Sequence, residues 1–331
     1  MEGLAEEKYK QGTSYLMPFE KMHGLGNDFV IVNASHLPTD SNVDYETALT
    51  RKICDRNRGI GADGLIIIDQ VKESEHAIRS WRFYNSDGTI AEMCGNGVRC
   101  AAKYIYEHGL SGEETSFKLE TLAGDIGLEL LDNEMVRVDM GAARSIEEGL
   151  SLLLDDLGIL PEKAHMQGLR NSDQAELTEP SMMTGQDERN AADGSLQVRF
   201  DYDFISMGNP HAITFVEDIE AVKAHGPEIE THKNFPQKTN VEFAQIISPT
   251  KIKLVVWERG CGFTEACGTG ACATVVSAVL RGHVQKDTDI EVELPGGTLV
   301  IRWDSVAETI FMTGAAELSF IGYHNIVLLK P

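Results

Sequence analysis

The chain has 331 residues, an apolar fraction of 42% and a formal net charge of −23 at pH 7. This length favours about two domains with a core each, and the negative charge argues against binding to the phosphate backbone of nucleic acids. No run approaches the roughly 18 apolar residues of a membrane helix, and residues 1–18 lack the apolar segment of a secretory signal. We therefore expect a cytoplasmic protein without membrane or nucleic-acid partners, with a flexible extension over residues 1–18.

The first half of the chain contains short runs of β-branched and aromatic residues separated by turn residues, a pattern that predicts strands. The predicted strands are Phe29–Val32, Leu65–Ile68, Trp81–Tyr84, Ser116–Leu119 and Met135–Val138. A helix is predicted from Val98 to His108, ending at Gly109. Its charged stripe of Arg99, Lys103 and Glu107 predicts that one side of this helix is exposed.

The second half repeats this style. The predicted strands are Ala212–Val216, Val241–Ala244, Lys251–Trp257 and a hairpin of Ile290–Leu294 with Thr298–Arg302. The segment Ala271–Leu280 has the composition of a helix that is apolar all round, so we expect a sheet to curl around it. Between the halves, residues 143–200 are polar and irregular and are predicted to be a connector with a polar insertion.

Two loops of the same pattern, E-x-C-G-x-G, begin the two predicted helices. They are Glu92–Gly97 and Glu265–Gly270, and a Gly-Asn pair precedes an apolar strand in each half. Motifs repeated in the same order indicate an internal duplication. We predict an α+β fold of two similar domains related by pseudo-twofold symmetry, each a curved, mostly antiparallel sheet around a central helix. The domains are predicted at 19–142, joined by a returning strand at 320–331, and at 143–319.

Cys94 and Cys267 therefore lie at predicted helix N-termini, which are expected to face a shared cleft. Unpaired N–H groups and the helix dipole lower a thiol pKa at such a position. Two matched thiols suit a reaction that needs one acid/base group on each face of a carbon atom. The helix-start N–H groups of Gly95, Asn96, Gly268 and Thr269 could bind a carboxylate, and this chemistry needs no cofactor.

The other four cysteines carry no catalytic pattern. Cys100 and Cys272 fall inside the predicted helices and are expected in the core, while Cys54 and Cys261 are assigned no role. The thiols are expected to be reduced in this compartment. Their spacings lack the close pairs of a zinc site, so no metal is expected.

Several strings resemble the diaminopimelate epimerase family, from Phe19 to the C-terminus apart from residues 143–200. These strings are Met22–Phe29, Gly59–Gly64, Tyr84–Gly88, Met93–Cys100, Ser206–His211, Thr239–Val241, Trp257–Gly260 and Ala266–Gly270. The resemblance implies a homodimeric, cofactor-independent enzyme that interconverts LL- and meso-2,6-diaminopimelate, on the route to lysine and peptidoglycan. It also implies that Cys94 and Cys267 are the two acid/base residues.

The same resemblance implies roles for further residues. His211 and Glu258 match residues close to the two thiols, and Arg259 matches a residue that binds the distal carboxylate. The implied substrate-binding set is completed by Asn27, Asn85, Asn209, Asn240 and Glu258, together with the helix-start residues Gly95, Asn96, Gly268 and Thr269.

Two alternatives remain open at this point. A proline-type racemase resembles this chain around its cysteines but carries His where Asn96 stands, and Arg259 suits a second carboxylate, so both residues favour diaminopimelate. A thiol-redox or metal-binding protein would predict C-x-x-C pairs, which the sequence does not contain.

Overall fold

The computed structural model describes residues 14–38, 41–69, 79–145, 188–189, 196–197, 202–232 and 235–327. These residues form two compact units. The first runs up to Met140 and resumes at Met312, and the second runs from Gly141 to Phe311. The sequence placed the division after residue 142 and the return at residue 320.

The strands of the described residues are numbered here in chain order. They are β1 (Ser14–Gly24), β2 (Asn27–Asn33), β3 (Gly64–Asp69), β4 (Arg79–Asn85), β5 (Ser116–Thr121), β6 (Gly124–Leu130), β7 (Met135–Asp139), β8 (Arg144–Ser145), β9 (Glu188–Arg189), β10 (Leu196–Gln197), β11 (Asp203–Ser206), β12 (Pro210–Phe215), β13 (Asn240–Ser248), β14 (Lys251–Glu258), β15 (Gly262–Phe263), β16 (Ile290–Leu294), β17 (Gly297–Asp304), β18 (Thr309–Ala315) and β19 (Glu317–Val327). The α-helices are α1 (Val43–Cys54), α2 (Gly95–Glu107), α3 (Ile219–Val222), α4 (Gly226–Glu230) and α5 (Gly268–Leu280).

The sheet of the first unit has the strand order β19-β1-β2-β3-β4-β5-β6-β7. Its pairs β2–β3 and β4–β5 are parallel, and the other pairs are antiparallel. A parallel pair needs a crossover connection, and helices α1 and α2 supply the two crossovers. Helix α2 contacts β1, β2, β3, β6 and β7, so the sheet curves around it.

The sheet of the second unit repeats this plan with the order β8-β11-β12-β13-β14-β16-β17, and the short β15 also pairs with β14. The parallel pairs of this unit are β12–β13 and β14–β16. They occupy the same places in the strand order as β2–β3 and β4–β5 do in the first unit. Helices α3 and α4 make the first crossover, and α5 makes the second. The predicted fold, two similar domains with mostly antiparallel sheets around a central helix, is confirmed at this level.

The two central helices differ in their surroundings. Helix α5 is buried from Gly270 to Ala278 and contacts β11, β12, β13 and β17, as its apolar sequence predicted. Helix α2 was predicted to expose a stripe that begins at Arg99. This prediction is wrong for Arg99, whose side chain is fully buried, whereas Glu107 at the end of the helix is exposed.

Most predicted strands lie within observed ones, but among the observed strands longer than two residues β1, β6, β11 and β18 were not predicted. Strand β1 begins at Ser14, so residues 14–18 are not part of a flexible extension; the strand pairs with both β2 and β19, and its Met17 side chain is buried. Strand β6 begins at Gly124, in a run whose Gly and Asp predicted a turn. Residues 1–13, and the predicted insertion apart from β8, β9 and β10, lie outside the described residues.

Candidate active site

Cys94 is the N-cap residue of helix α2. Its backbone is extended, with φ −143° and ψ 114°, and its carbonyl oxygen accepts the first helical hydrogen bond, from Val98 N at 2.8 Å. The following residues, Gly95 and Asn96, therefore start the helix with N–H groups that have no partner within it. A Cβ added to Gly95 would lie 3.0 Å from Met312 Cε, so the backbone approaches its neighbours closely here.

Asn27, at the start of β2, contacts both Cys94 and Asn96. Its Oδ1 accepts a hydrogen bond from Asn96 Nδ2 at 3.1 Å and one from Cys94 Sγ at 3.7 Å. Its Nδ2 donates to Asp63 Oδ2 at 2.7 Å. Because an ionised carboxylate only accepts, Asp63 orients the amide so that its oxygen points to the thiol.

A charged cluster holds Asp63 in place. Arg56 donates to Asp63 Oδ1 at 2.7 Å and makes two hydrogen bonds to Asp28, at 2.7 and 3.0 Å. Asp28 also pairs with the buried Lys21 at 2.6 Å. Burial raises the pKa of the Asp28 carboxyl, but the hydrogen bonds from Arg56 and Lys21 outweigh this effect and hold the pKa well below its usual range.

Asn85 and Arg99 complete the described surroundings of the first loop. Asn85 ends β4 with an exposed side chain that donates to Thr89 Oγ1 at 3.0 Å. The buried guanidinium of Arg99 donates to Asn96 Oδ1 at 3.0 Å, Gly95 O at 3.3 Å and Ala315 O at 3.1 Å. These hydrogen bonds from Arg99 stabilise the first turn of α2, a role that the sequence did not indicate.

Cys267 is the N-cap residue of helix α5 and repeats the backbone of Cys94, with φ −119° and ψ 107°. Its carbonyl oxygen accepts from Ala271 N at 3.0 Å. The residue is only 4% exposed, and its Sγ lies 3.6 Å from Thr269 Oγ1. Gly268 and Thr269 thus occupy the helix start that Gly95 and Asn96 occupy in the first unit.

A chain of hydrogen bonds leads away from Thr269. Asn209 Nδ2 donates to Thr269 Oγ1 at 3.3 Å, and Asn209 Oδ1 lies 2.9 Å from His211 Nε2. His211 Nδ1 in turn lies 2.6 Å from Glu242 Oε1. Asn209 and His211 were predicted from the sequence, but Glu242 was not. Its place in the run Val241-Glu242-Phe243 is typical of a strand with one polar face, which predicts an exposed side chain. The one signal in the sequence that could have suggested a buried acidic partner is His211.

The predicted lowering of the thiol pKa is wrong for Cys267. Burial raises its pKa well above the usual value, and the nearby Glu258 and Glu242 carboxylates add to this effect. The hydrogen bonds of Thr269 and of the Gly270 backbone act in the opposite direction but do not outweigh it. The resting residue is therefore a protonated thiol, which is the form that can donate a proton.

The remaining predicted residues lie where β13 begins and β14 ends. Asn240 donates through Nδ2 to Pro210 O at 2.9 Å and accepts through Oδ1 from Arg259 N at 2.9 Å. Glu258 accepts from Thr264 Oγ1 at 2.5 Å, and the exposed Arg259 donates to Gln237 O at 3.2 Å. Asn240 thus fixes the backbone that presents Glu258 and Arg259.

Of the cysteines outside the two loops, Cys100 and Cys272 lie in the core, as the sequence predicted. None of the six cysteines, all of which are described, takes part in a disulfide. Cys54, Cys100 and Cys272 are buried, and burial raises the pKa of Cys54 and of Cys100 to about 12. Within the described ranges, no group of three or more His, Cys, Asp or Glu residues is arranged to hold a metal ion. The helices in that part of the chain are also too short or too polar to span a membrane.

Comparison with known proteins places the chain in a family. The family model described as diaminopimelate epimerase matches residues 19–146 and 204–319. The diaminopimelate epimerase of Carboxydothermus hydrogenoformans is 43% identical over 92% of this chain and 98% of its own length. That of Heliobacterium modesticaldum is 41% identical over 92% and 99%, respectively.

Solved structures of low identity share the fold. A PhzF-family phenazine biosynthesis protein of Bacillus anthracis has a TM-score of 0.62 at 15% identity, covering 94% of this chain and 99% of its own. A hydroxyproline epimerase of Agrobacterium vitis has a TM-score of 0.58 at 15% identity, covering 98% and 94%. With the family model matching most of the chain, and relatives above 40% identity along nearly its whole length, this protein belongs to the diaminopimelate epimerase family of isomerases.

Proposed function

We propose that this enzyme epimerises LL-2,6-diaminopimelate to meso-2,6-diaminopimelate without a cofactor, with Cys94 and Cys267 as the two acid/base groups. The observation that carries the proposal is that the two thiols repeat one backbone position. Each cysteine is the N-cap of the central helix of its unit, after the fourth strand of the repeat, with two helix-start N–H groups following it. Family membership supplies the substrate, because the relatives at about 40% identity carry this name.

In the proposed reaction, one cysteine acts as thiolate and takes the α-hydrogen as a proton, so that a C–H bond breaks and an S–H bond forms. The electron pair left on the α-carbon is delocalised into the adjacent carboxylate. The other cysteine then gives its thiol proton to the opposite face of that carbon, and its S–H bond breaks. The configuration inverts, and the two sulfurs exchange protonation states. The enzyme is restored when the first sulfur loses its proton to solvent and the second takes one up from solvent.

The helix-start N–H groups are proposed to bind the reacting carboxylate. Gly95, Asn96, Gly268 and Thr269 offer such groups, and negative charge on a carboxylate is stabilised at a helix N-terminus. Because charge builds up on the carboxylate as the α-proton leaves, donors already in place lower the barrier. The burial of Cys267 excludes water and suits this step.

The asparagines and the charged residues at the end of β14 are proposed to bind the rest of the substrate. Asn27, Asn85, Asn209 and Asn240 supply amide donors and acceptors, and Glu258 suits an ammonium group. Arg259 is exposed, which leaves its guanidinium accessible to the distal carboxylate. His211 and Glu258 are proposed as catalytic support.

The cellular role follows from the same resemblance. We propose that the enzyme acts in the cytoplasm as a homodimer and supplies meso-diaminopimelate for lysine and peptidoglycan synthesis. Strand β19 offers an apolar surface for a second copy through Leu318, Phe320, Ile321 and Tyr323, which are 42–64% exposed. Sedimentation equilibrium would test the dimer, and a concentration-independent monomer mass would contradict it.

The direct test of the activity is incubation with LL-diaminopimelate under reducing conditions, with metal chelated and no cofactor added. Chiral chromatography should show the meso isomer approaching equilibrium with the substrate. L-Proline, tested in parallel, should not be racemised. Racemisation of proline without turnover of diaminopimelate would favour the proline-racemase alternative, and bound metal without either activity would favour the thiol-redox or metal-binding one.

A further inference from the structure

Glu242 is a buried acidic residue that the proposed mechanism does not use. It lies on β13 with no exposed surface, and so does its partner His211 on β12. Its Oε1 contacts His211 Nδ1 at 2.6 Å, its carboxyl also interacts with the backbone N–H of Ala212, and its Oε2 is buried without a hydrogen-bond partner of good geometry among the described residues. A carboxyl group in such a position is costly to bury, so its presence needs an explanation.

The duplicated first unit shows that the fold itself does not require this pair. In the parallel register, His211 lies beside Asn240, and Phe29 lies beside Gly64 at the same place in the repeat. Two residues further along the partner strand are Glu242 and Ile66. The first unit therefore fills the positions of His211 and Glu242 with the buried apolar side chains of Phe29 and Ile66.

The equivalence extends to the helix starts above these strands. A Cβ added to Gly97 would lie 3.3 Å from Ile66 Cδ1, and one added to Gly270 would lie 2.9 Å from Glu242 Oε1. Gly97 and Gly270 are each three residues after the loop cysteine. The Glu242 carboxyl thus packs against the first turn of α5. At the equivalent place in the first unit, the Cδ1 methyl group of Ile66 packs against the first turn of α2. Replacing buried ion pairs by apolar residues is often neutral or stabilising, so stability does not account for the polar pair.

The hydrogen bonds determine how the His211–Glu242 pair is protonated. Asn209 Nδ2 donates to the Thr269 hydroxyl, which leaves Asn209 Oδ1 as an acceptor towards His211. His211 Nε2 must therefore carry a proton. One further proton occupies the short contact between His211 Nδ1 and Glu242 Oε1, whichever of the two atoms holds it. The pair is neutral overall in either arrangement, and burial opposes both the gain and the loss of a proton.

This arrangement reverses the amide orientation seen in the first unit. Asn27, anchored by the Asp63 carboxylate, points its oxygen towards Asn96 and Cys94. Asn209, anchored by the N–H of His211, points its nitrogen towards Thr269. The Thr269 oxygen accepts from that nitrogen, so the Thr269 proton is available to the Cys267 sulfur 3.6 Å away. Equivalent asparagines thus present opposite ends of their amides to the two helix starts, the oxygen in the first unit and the nitrogen in the second.

We propose that Glu242 is a positioning residue of the Cys267 loop: through His211 it holds Asn209 with its amide nitrogen towards Thr269, and thereby directs the Thr269 hydroxyl proton to the Cys267 sulfur. The kinetic part of this inference rests on the proposed epimerase function, while the protonation of His211 does not. Glu242 acts through other residues and is not assigned any contact with substrate.

The test compares Glu242→Leu, which removes the partner of His211 Nδ1, with Glu242→Gln, whose amide can donate to Nδ1 and keep the proton on Nε2. In Glu242→Leu, kcat for LL-diaminopimelate should fall on the order of 10- to 100-fold with a smaller change in KM, while Glu242→Gln should stay within about threefold of wild type. Glu46→Gln is the matched control. Glu46 is also buried and hydrogen-bonded, to Arg82 and Tyr84, but none of these three residues is assigned to the proposed site, so this variant should lose thermal stability and keep kcat.

The second readout is the ¹⁵N NMR spectrum of the His211 ring at neutral pH, assigned with His211→Phe and recorded without substrate, which reports which ring nitrogen carries the proton. Wild type and Glu242→Gln should show the proton fixed on Nε2, whereas Glu242→Leu should show a mixture of the Nδ1 and Nε2 tautomers. A Glu242→Leu enzyme with wild-type kcat would overturn the proposal. So would a loss of activity with the protonation of Nε2 unchanged.

A double variant guards against simple unfolding. His211→Phe with Glu242→Ile installs the pair that the first unit already packs at this place, so its melting temperature should equal or exceed that of wild type while kcat falls at least as far as in Glu242→Leu. Retained kcat in this variant would show that the pair is only structural. If wild type does not act on diaminopimelate, the proposed function fails, yet the NMR comparison still decides whether Glu242 fixes the protonation of His211.

Discussion

Cys94 and Cys267 share a backbone position but not an environment. The sulfur of Cys94 is close to an amide oxygen of Asn27, whereas that of Cys267 is close to the hydroxyl of Thr269 and is more deeply buried. Burial, together with the nearby Glu258 and Glu242 carboxylates, raises the pKa of Cys267, and a substrate ammonium group placed nearby would favour the thiolate that the proposed mechanism requires there. The pair is matched in position and differs in charge environment.

Serine replacements test whether both thiols take part. Cys94→Ser and Cys267→Ser should each lower kcat by roughly 10²- to 10⁴-fold, because a serine hydroxyl is a far weaker acid than a thiol and forms no useful base near neutral pH. Cys100→Ser, inside helix α2, is the control and should lower stability more than activity, since Cys100 is buried in the core. Full activity in either loop variant would remove that thiol from the mechanism.

Arg259 tests the recognition of the distal carboxylate. Its planar fork can make two hydrogen bonds to a carboxylate, which a lysine ammonium cannot reproduce. Arg259→Lys should therefore lower kcat/KM for diaminopimelate roughly 10- to 100-fold, which corresponds to about 1.4–2.8 kcal/mol. The fold should be unchanged, because the side chain is exposed and its described hydrogen bond is to Gln237 O. Unchanged kinetics would exclude Arg259 from substrate binding.

The sequence alone could identify the loop cysteines, because their pattern is repeated, but it could not identify Glu242 or Arg99 as buried. An acidic residue between Val241 and Phe243 looks like the polar face of a strand, and Arg99 looks like the polar face of a helix. Both are buried because another strand or helix packs against the face that the local polar pattern predicts to be exposed to solvent. Burial of this kind depends on contacts between elements distant in the sequence, which periodicity does not record.

At the scale of elements, sequence periodicity located most of the strands with apolar cores but missed β1, β6, β11 and β18. Strand β1 contains Pro18 and charged residues, yet hydrogen bonds to β19 and β2 on its two sides hold it in the sheet. Strand β6 begins with Gly124-Asp125, and its pairing with β5 and β7 decides its conformation. The central helices were predicted because their glycine-rich starts and the closing Gly109 and Gly282 are local signals, and both closing glycines have positive φ.

The helix starts offer a matched pair of glycine substitutions. Gly270→Ala would place a methyl group 2.9 Å from Glu242 Oε1 and 3.2 Å from Cys267 Sγ, so it should displace the Cys267 thiol. Gly97→Ala would meet Ile66 Cδ1, the movable end of an apolar side chain, at 3.3 Å. We expect Gly270→Ala to lower kcat on the order of 100-fold and Gly97→Ala to lower it about tenfold or less. Steady-state kinetics on the two proteins would contradict this if Gly97→Ala were the more damaging.

At the scale of the whole molecule, the charged cluster around Asp28 should make stability depend on acid. The pKa of Asp28 is lower in the folded protein than in the unfolded chain, so its stabilising contribution is complete above the ordinary carboxyl pKa, about 4, and is lost as pH falls below that. Asp28→Asn should therefore reduce the free energy of unfolding by about 2 kcal/mol at pH 7.

Urea unfolding of wild type and Asp28→Asn at neutral and acid pH would measure this effect. The difference between the two proteins should shrink progressively as the pH falls below about 4, because the unfolded wild-type chain then takes up a proton at Asp28 that the folded protein still excludes. Asp132→Asn, on an exposed turn, is the control and should change stability little at either pH. A difference for Asp28→Asn that stays constant down to acid pH would assign its role to packing rather than to charge.

The central claim is that two separate thiols invert one carbon of diaminopimelate. It is tested most directly by initial-rate epimerisation of LL-diaminopimelate in heavy water, with mass spectrometry of both isomers. Because the thiol that returns the proton has exchanged with solvent, early meso product should carry one deuterium at the inverted centre while recovered LL substrate stays largely protiated. The reverse reaction should give the mirror result. Deuterium that appears in the substrate as fast as in the product would mean that a single base exchanges with solvent on one face, and would contradict the two-thiol mechanism.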